Sequence, residues 1–264
     1  MVGAVLGDII GSRHEFHNIK TKDFELLTPD CLFTDDTVMT CAVAQALMDC
    51  NGDYTDLSAK TVSAMQRIGR KYPDCGYGGM FFRWMFSGSP KPYNSFGNGS
   101  AMRVSPVGFI AKDVEQAKEL SRKVTEVTHN HPEGLKGAEA TAVAIVMARQ
   151  GCNKDEIREV MERDYYKTKY TVDEYREIIR GHGDETCQVS MPEALQCFYE
   201  GSDYEDVIRN CISIGGDSDT LAAIAGGIAE AYFGVPDELA ERLPEYLDER
   251  LLKIVMNFCE KEEA

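Results

Sequence analysis

Apolar positions along this chain recur at three- and four-residue intervals over one stretch after another, the spacing that lays a stripe along an α-helix. The strict alternation of a half-buried strand is nearly absent. The pattern predicts helices over residues 2–12, 37–49, 55–71, 114–128, 135–150, 154–161, 172–179, 191–200, 203–214, 218–233 and 236–260. A sheet has little to be built from, so the expected fold class is all-α. Punctuation agrees: Asp56 or Ser58 can cap the third helix, Asp113 precedes the fourth and Gly151 follows the fifth. Gly234-Val235-Pro236 closes one helix and opens the next, with proline at a first helical position. The first helix repeats glycine at positions 3, 7 and 11, and the late helix crowds Ala222, Ala223, Ala225, Gly226, Gly227 and Ala229 together. Surfaces this small let backbones approach closely, which predicts a tight bundle. No linker, low-complexity tract or internal repeat divides the chain, so residues 1–264 are expected to form one domain.

Composition narrows the function more by exclusion than by suggestion. A hydrophobic fraction of 43% and a charged fraction of 27% suit a globular chain of 264 residues with a sizeable core. No segment reaches the roughly 18 consecutive apolar residues of a membrane helix. Asp8 interrupts the apolar N-terminus and no basic residue precedes it, unlike a signal peptide. The nine cysteines are odd in number and form no CxxC pair, which predicts reduced thiols in a cytoplasmic protein, not a disulfide frame or a zinc site. A net charge of −16 disfavours nucleic acid as a partner, since backbone binding needs clustered Lys and Arg. The surplus acid serves solubility, and it is also compatible with carboxylates gathered around cations.

Two segments far apart in sequence resemble one another. Phe33-Thr34-Asp35-Asp36-Thr37 opens one predicted helix, and Gly215-Gly216-Asp217-Ser218-Asp219-Thr220 opens another. Each places two carboxylates and a threonine hydroxyl at a helix N-terminus. Helix capping accounts for any one of these residues. It accounts poorly for the set, because a cap needs one oxygen and like-charged neighbours repel unless something neutralises them. The helix dipole offsets only about 0.3–1 kcal/mol. Carboxylate and hydroxyl oxygens without nearby Cys or His suit a hard ion such as Mg²⁺, Mn²⁺ or Ca²⁺. Two such loops brought together can hold two ions that activate an oxygen nucleophile. Asp8, Ser12 and Glu15 share a helical face. Glu15 is then either a surface acid or a third contributor to the site, and Asp8, among apolar neighbours, is expected to form a buried hydrogen bond.

Ser95-Phe96-Gly97-Asn98-Gly99 is expected to turn, either as a plain connector or with amides facing an anion such as a diphosphate. His129 follows a helix end, as a cap or as a hydrogen-bond or stacking contact; His129-x-His131 lacks the further ligands zinc requires. His14 and His17 are expected at the surface. Gly76-Tyr77-Gly78-Gly79 reads as a mobile loop, a connector or a substrate gate.

Taken in order, Gly7-Asp8, Gly11-Ser12, Glu15, the Phe33–Thr37 run, Gly97-Asn98-Gly99-Ser100-Ala101-Met102-Arg103, Thr128-His129, Gly137-Ala138 and the Gly215–Thr220 run resemble the ADP-ribosylglycohydrolase family. The likeness spans residue 3 to about residue 236, and the two acidic loops are its most specific part. It implies an orthogonal multi-helix bundle with two Mg²⁺ or Mn²⁺ ions in a cleft, held by Thr34, Asp35, Asp36, Asp217, Asp219 and Thr220. It implies Glu15 on a loop near the metals, Ser95, Phe96, Gly97, Asn98 and Gly99 on the phosphates and the cleaved ribose, and His129 on the ADP-ribose. Gly78 would line the scissile end, and the segment from Thr186 to Pro192 the adenosine side. Glu15, Asp35 and Asp36 are the candidates for general base. The activity implied is release of ADP-ribose from a modified acceptor, ADP-ribosylated arginine on proteins first. ADP-ribosylserine, O-acetyl-ADP-ribose and a free guanidine are the other acceptors, and a monomer is expected. The residues alone also admit a two-metal phosphohydrolase. A non-enzymatic binding protein on this fold would show a broken acidic loop, and both are whole.

Overall fold

The computed structural model describes residues 1–178 and 184–262. The chain forms helices α1 (Val2–Ser12), α2 (Asp35–Asp49), α3 (Leu57–Gly69), α4 (Gly79–Phe86), α5 (Gly99–Met102), α6 (Ser105–Ile110), α7 (Val114–Thr125) and α8 (Pro132–Arg149). It continues with α9 (Lys154–Asp164), α10 (Val172–Glu177), α11 (Cys187–Glu200), α12 (Tyr204–Ser213), α13 (Ser218–Phe233), α14 (Asp237–Ala240), α15 (Leu243–Tyr246) and α16 (Glu249–Glu262). Among the described residues the only extended pairing is an isolated bridge between Gly97 and Thr186, so the fold is all-α.

Helices buried on every side belong at the centre of a bundle, and most of α1 and α13 and the second half of α8 are of that kind. Residues Gly3 to Gly11 of α1 and Ser218 to Ala229 of α13 are buried without a break. The glycine repeat explains how closely these two cross. A Cβ on Gly7 would lie 2.1 Å from the Ala222 carbonyl oxygen, and one on Gly11 would lie 2.4 Å from the Asp219 Cα. A Cβ on Gly226 would lie 2.4 Å from the Gly3 carbonyl oxygen. The small residues therefore seat the N-terminus of α13 on the C-terminal turn of α1, beside Glu15.

Several boundaries differ from expectation, each for a local reason. Helices α4 to α6 were not anticipated: they are at most eight residues long, too short for a period to show. The single helix expected over 236–260 is three, because Leu247 is extended after α15 and Pro236 occupies the N-cap of α14 instead of its first turn. Helix α11 begins at Cys187 and accommodates Pro192 inside it. Helix α10 ends at Glu177; residue 179, the expected end, lies outside the described residues. Asp113 caps α7 by accepting from the Gln116 amide, and Gly151 takes the positive φ of +81°. Asp56 stands at the N-cap of α3 without a side-chain bond, and Ser58 instead donates to the Lys123 carbonyl. His14 is buried, not at the surface. The segment after α1 folds back so that Phe24 covers it, with ring centroids 5.2 Å apart. His17 is exposed as expected. All nine cysteines are free thiols.

Candidate active site

The first acidic loop is anchored from beneath. Asp8, wholly buried on α1, accepts from the Thr34 amide (3.0 Å), the Thr34 hydroxyl (2.7 Å) and the Thr37 amide (3.0 Å). The expected buried hydrogen bond of Asp8 is thus three bonds. Thr34 in turn caps α2 by accepting from the Asp36 amide at 3.2 Å, and Asp35 donates its amide to the Cys75 carbonyl at 2.8 Å. The second loop reaches the same place from α13. Thr220 donates to Asp36 Oδ2 at 3.3 Å, and Asn98 donates to Asp217 Oδ2 at 2.6 Å. Gly215 and Gly216, with φ of +72° and +82°, turn the chain into this loop, where Asn18 binds both the amide and the carbonyl of Gly216.

The carboxylates meet in two overlapping groups. Asp8, Asp36 and Asp219 bring one oxygen each within 4.8 Å of one another, and so do Glu15, Asp217 and Asp219. Asp219 belongs to both. Burial, followed by repulsion from Asp8, pushes the Asp36 carboxyl well above its ordinary range. Burial, followed by repulsion from Asp217, does the same to Asp219. Glu15 is pushed up to about 7, again by burial first and Asp217 second. Asp36 Oδ1 is buried with no hydrogen-bond partner. A fold seldom leaves such an atom unsatisfied, and a divalent cation satisfies it while neutralising the crowded acids. The donor set, all oxygen, fits Mg²⁺ or Mn²⁺.

Opposite the acids lies the glycine loop. The Asn98 side-chain amide donates to Asp217 and to Ser190 Oγ at 2.8 Å. Its backbone amide donates to the Glu185 carbonyl at 2.7 Å, and the Cys187 amide donates to the Phe96 carbonyl at 3.1 Å. These bonds dock the loop on the start of α11, so the Thr186–Pro192 segment is a loop only at its first residue. Gly134 permits the approach of Ser95, since a Cβ there would lie 2.6 Å from the Ser95 carbonyl oxygen. His129 is buried behind the loop, and burial together with the Arg103 guanidinium holds its imidazole well below its ordinary pKa. His131 is elsewhere engaged, accepting from the Glu133 amide as the N-cap of α8. Gly76, with φ of +97°, and Gly78 lead into α4 at the cleft wall.

One cleft of about 1110 Å³ takes in Glu15, Thr34, Asp35, Asp36, Gly78, Ser95, Phe96, Gly97, Asn98, Gly99, His129, Asp217, Asp219 and Thr220. It is also lined by Arg103, which the sequence shows only as the end of a motif, and by residues the sequence does not single out, among them Asp30, Asp74, Glu185 and the exposed Phe16 and Leu32. Asp8 was the signal available for the acid cluster, a lone carboxylate in an apolar stripe. Nothing local marks Glu185, which arrives through the bridge between Gly97 and Thr186.

An all-helical frame thus encloses a cleft walled by carboxylates and faced by a glycine loop, the architecture of a helical protein with an acidic site. The family model described as ADP-ribosylglycohydrolase matches residues 1–264, and the chain belongs to that family. It is 26% identical to ADP-ribosylhydrolase ARH3 of Mus musculus over 326 residues, covering 93% of this chain and 84% of the relative. It is 26% identical to the ADP-ribosylarginine hydrolase Tri1 of Pseudomonas putida over 156 residues, covering 56% of this chain and 42% of that protein. A solved structure described as an ADP-ribosylglycohydrolase-related protein complex superposes with a TM-score of 0.72 at 21% identity, covering 97% of this chain and 95% of its own; it shares the fold. The chain is accordingly a hydrolase of ADP-ribose conjugates. Its acidic clusters suit metal ions, and no described helix is long and apolar enough to cross a membrane.

Proposed function

We propose that this chain releases ADP-ribose from ADP-ribosylated arginine, with two Mg²⁺ or Mn²⁺ ions held by Thr34, Asp35, Asp36, Asp217, Asp219 and Thr220. The observation that carries the reading is the pair of carboxylate groups sharing Asp219 at the floor of the cleft. Dications held there would supply charge to orient the hydroxyls of the ribose to be cleaved and to acidify a water. The protein's own groups do the rest. Glu15 is the candidate base, since its carboxyl, pushed up to about 7, can take a proton from water near neutral pH. Oxygen then adds to ribose C1 as the bond from C1 to the guanidine nitrogen breaks, and the departing nitrogen takes the proton. The surrounding carboxylates stabilise the positive charge that develops on the sugar ring. The glycine loop from Ser95 to Gly99 and His129 hold the diphosphate, and Gly78 lines the acceptor end.

Arginine as acceptor is supported by the lining of the cleft. Asp30, Asp74 and Glu185 stand there beyond the acids of the metal groups, an environment that favours a cationic guanidinium. The named arginine hydrolase among the relatives points the same way. Nine free thiols support a reducing, cytoplasmic setting, in which the chain acts as a single-domain monomer. The test is a panel of ADP-ribosyl-arginine, ADP-ribosyl-serine and O-acetyl-ADP-ribose, each with Mg²⁺ and Mn²⁺, following ADP-ribose release. Arginine conjugates should turn over fastest; faster release from serine or the acetyl ester would overturn the acceptor assignment.

A further inference from the structure

Arg103 is among the most deeply buried charges in the protein, at 1% exposure. Among the described residues it forms no salt bridge; its Nε is buried without a partner, and its guanidinium carbon sits 5.7 Å from the centre of the Phe81 ring. Burying a guanidinium without a carboxylate is costly, and burial holds its pKa down to about 10. What the side chain does touch is specific. Its Nη2 donates to Thr128 Oγ1 at 2.6 Å and lies 3.3 Å from His129 Nδ1, while Thr128 Oγ1 is itself 2.8 Å from the same nitrogen.

Those contacts decide where the imidazole proton goes. The Thr128 hydroxyl alone permits either tautomer, because it can donate to Nδ1 or accept from it. A guanidinium can only donate. A proton on Nδ1 would face the Arg103 N–H, whereas a bare Nδ1 accepts from Arg103, and from Thr128 when its one hydroxyl proton is turned away from the Thr125 carbonyl 3.4 Å off. The neutral ring then carries its proton on Nε2. That edge faces the cleft at the glycine loop: a Cβ on Gly99 would lie 3.4 Å from Nε2 and one on Gly97 3.7 Å. Among the described residues no hydrogen bond reaches Nε2.

We propose that Arg103 is a positioning residue that fixes His129 in the Nε2–H tautomer, making that edge a standing hydrogen-bond donor to the anionic part of a ligand seated on Gly97 and Gly99. The donor role rests on the reading that this loop holds the diphosphate of ADP-ribose; the tautomer does not. Lack of side chains at both glycines leaves the space the ligand needs, and burial, with the Arg103 cation second, keeps the ring neutral, so the donor does not depend on protonating it.

The test uses the intact Mg²⁺-loaded protein with ¹⁵N-labelled histidine. Without any variant, the ring of His129 should show an unprotonated-type Nδ1 and a protonated-type Nε2, and saturating ADP-ribose should move the Nε2–H resonance. A protonated Nδ1, or an Nε2–H signal indifferent to bound ADP-ribose, would overturn the proposal. If wild type binds no ADP-ribose, the functional reading falls and the donor role with it; binding with the wrong tautomer sinks this proposal alone. In Arg103→Gln, whose amide oxygen can accept from Nδ1–H, the ring should populate both tautomers and ADP-ribose should bind about tenfold to a hundredfold more weakly, the scale of one charge-assisted hydrogen bond. Thr128→Val keeps the guanidinium and should keep the tautomer; a tautomer lost in Thr128→Val and kept in Arg103→Gln would assign the control to Thr128 and overturn the role of Arg103.

Discussion

At the start of α2, Thr34 caps the helix and Asp8 grips the loop through three hydrogen bonds; at the start of α13, Asp217 occupies the N-cap and makes no capping bond. Two segments with nearly the same composition are thus built differently. The first loop is fixed by polar contacts from below and leaves Asp36 Oδ1 without a partner. The second is fixed by shape: glycines of α1 admit the α13 backbone, positive-φ glycines turn the chain, and Asn18 and Asn98 hold it from the sides. Capping explains Thr34 and fails to explain Asp217 or Asp219. The acids that the helix termini do not use are the ones that converge.

That contrast can be broken most sharply at Asp219, the residue common to both carboxylate groups. Asp219 lies inside the first turn of α13 and is not its cap, so Asp219→Asn should leave helix content by circular dichroism unchanged. ADP-ribose release should fall by about 10²–10³-fold, the scale of losing one electrostatic catalytic element. Asp217→Asn should fall by about 10²-fold or more on the same grounds. Turnover near wild type in both variants would remove the second loop from the metal site.

The shape half of the comparison is tested at Gly7. A Cβ there would meet the Ala222 carbonyl oxygen at 2.1 Å, a backbone atom that no rotamer can move aside. Gly7→Ala should cost about 1–3 kcal/mol of stability, as overpacking does, read as a lower denaturant midpoint. Because the same contact sets the spacing of the two loops, affinity for Mn²⁺ should fall with it. Unchanged stability and unchanged metal affinity would show that α1 and α13 have slack the geometry denies.

The smallest effect is the pH slope of the metal-free chain. The Glu15 carboxyl is raised from 4.5 to about 7 in the fold, and Asp8, Asp36 and Asp219 are also raised, each by burial first. Between those values the folded chain holds more protons than the unfolded one. Stability from these groups is therefore full below the ordinary carboxylate range and is lost as pH climbs through the raised values. Thermal melts in chelator should show a lower melting temperature at pH 7.5 than at pH 5.5, and saturating Mg²⁺ should flatten the difference by stabilising the ionised acids. A melting temperature that rises with pH in chelator would contradict the crowding of these carboxylates.

Much of this arrangement is legible along the chain, because α1, α2 and α13 are long enough for their periods to show and carry their acids at their ends. The glycine spacing of α1 is readable as close packing, although its partner is not. What stayed hidden comes from tertiary contact. Asn98 looks like a turn residue and is bound to Asp217; Arg103 looks like the end of a motif and is a buried cation beneath His129; Glu185 reaches the cleft through a bridge from a distant segment. Helices α4 to α6 are too brief to announce themselves, and Gly78, expected in a loop, is the N-cap of α4.

The central claim, that two differently built helix starts form one metal centre, is tested most directly by counting metal. Protein dialysed against Mn²⁺, freed of excess by gel filtration and measured by elemental analysis should retain about two ions per chain, and Asp219→Asn, folded to the same helix content, about one or none. Wild-type protein that retains no Mn²⁺, or an Asp219→Asn variant that retains as much as wild type, would contradict it.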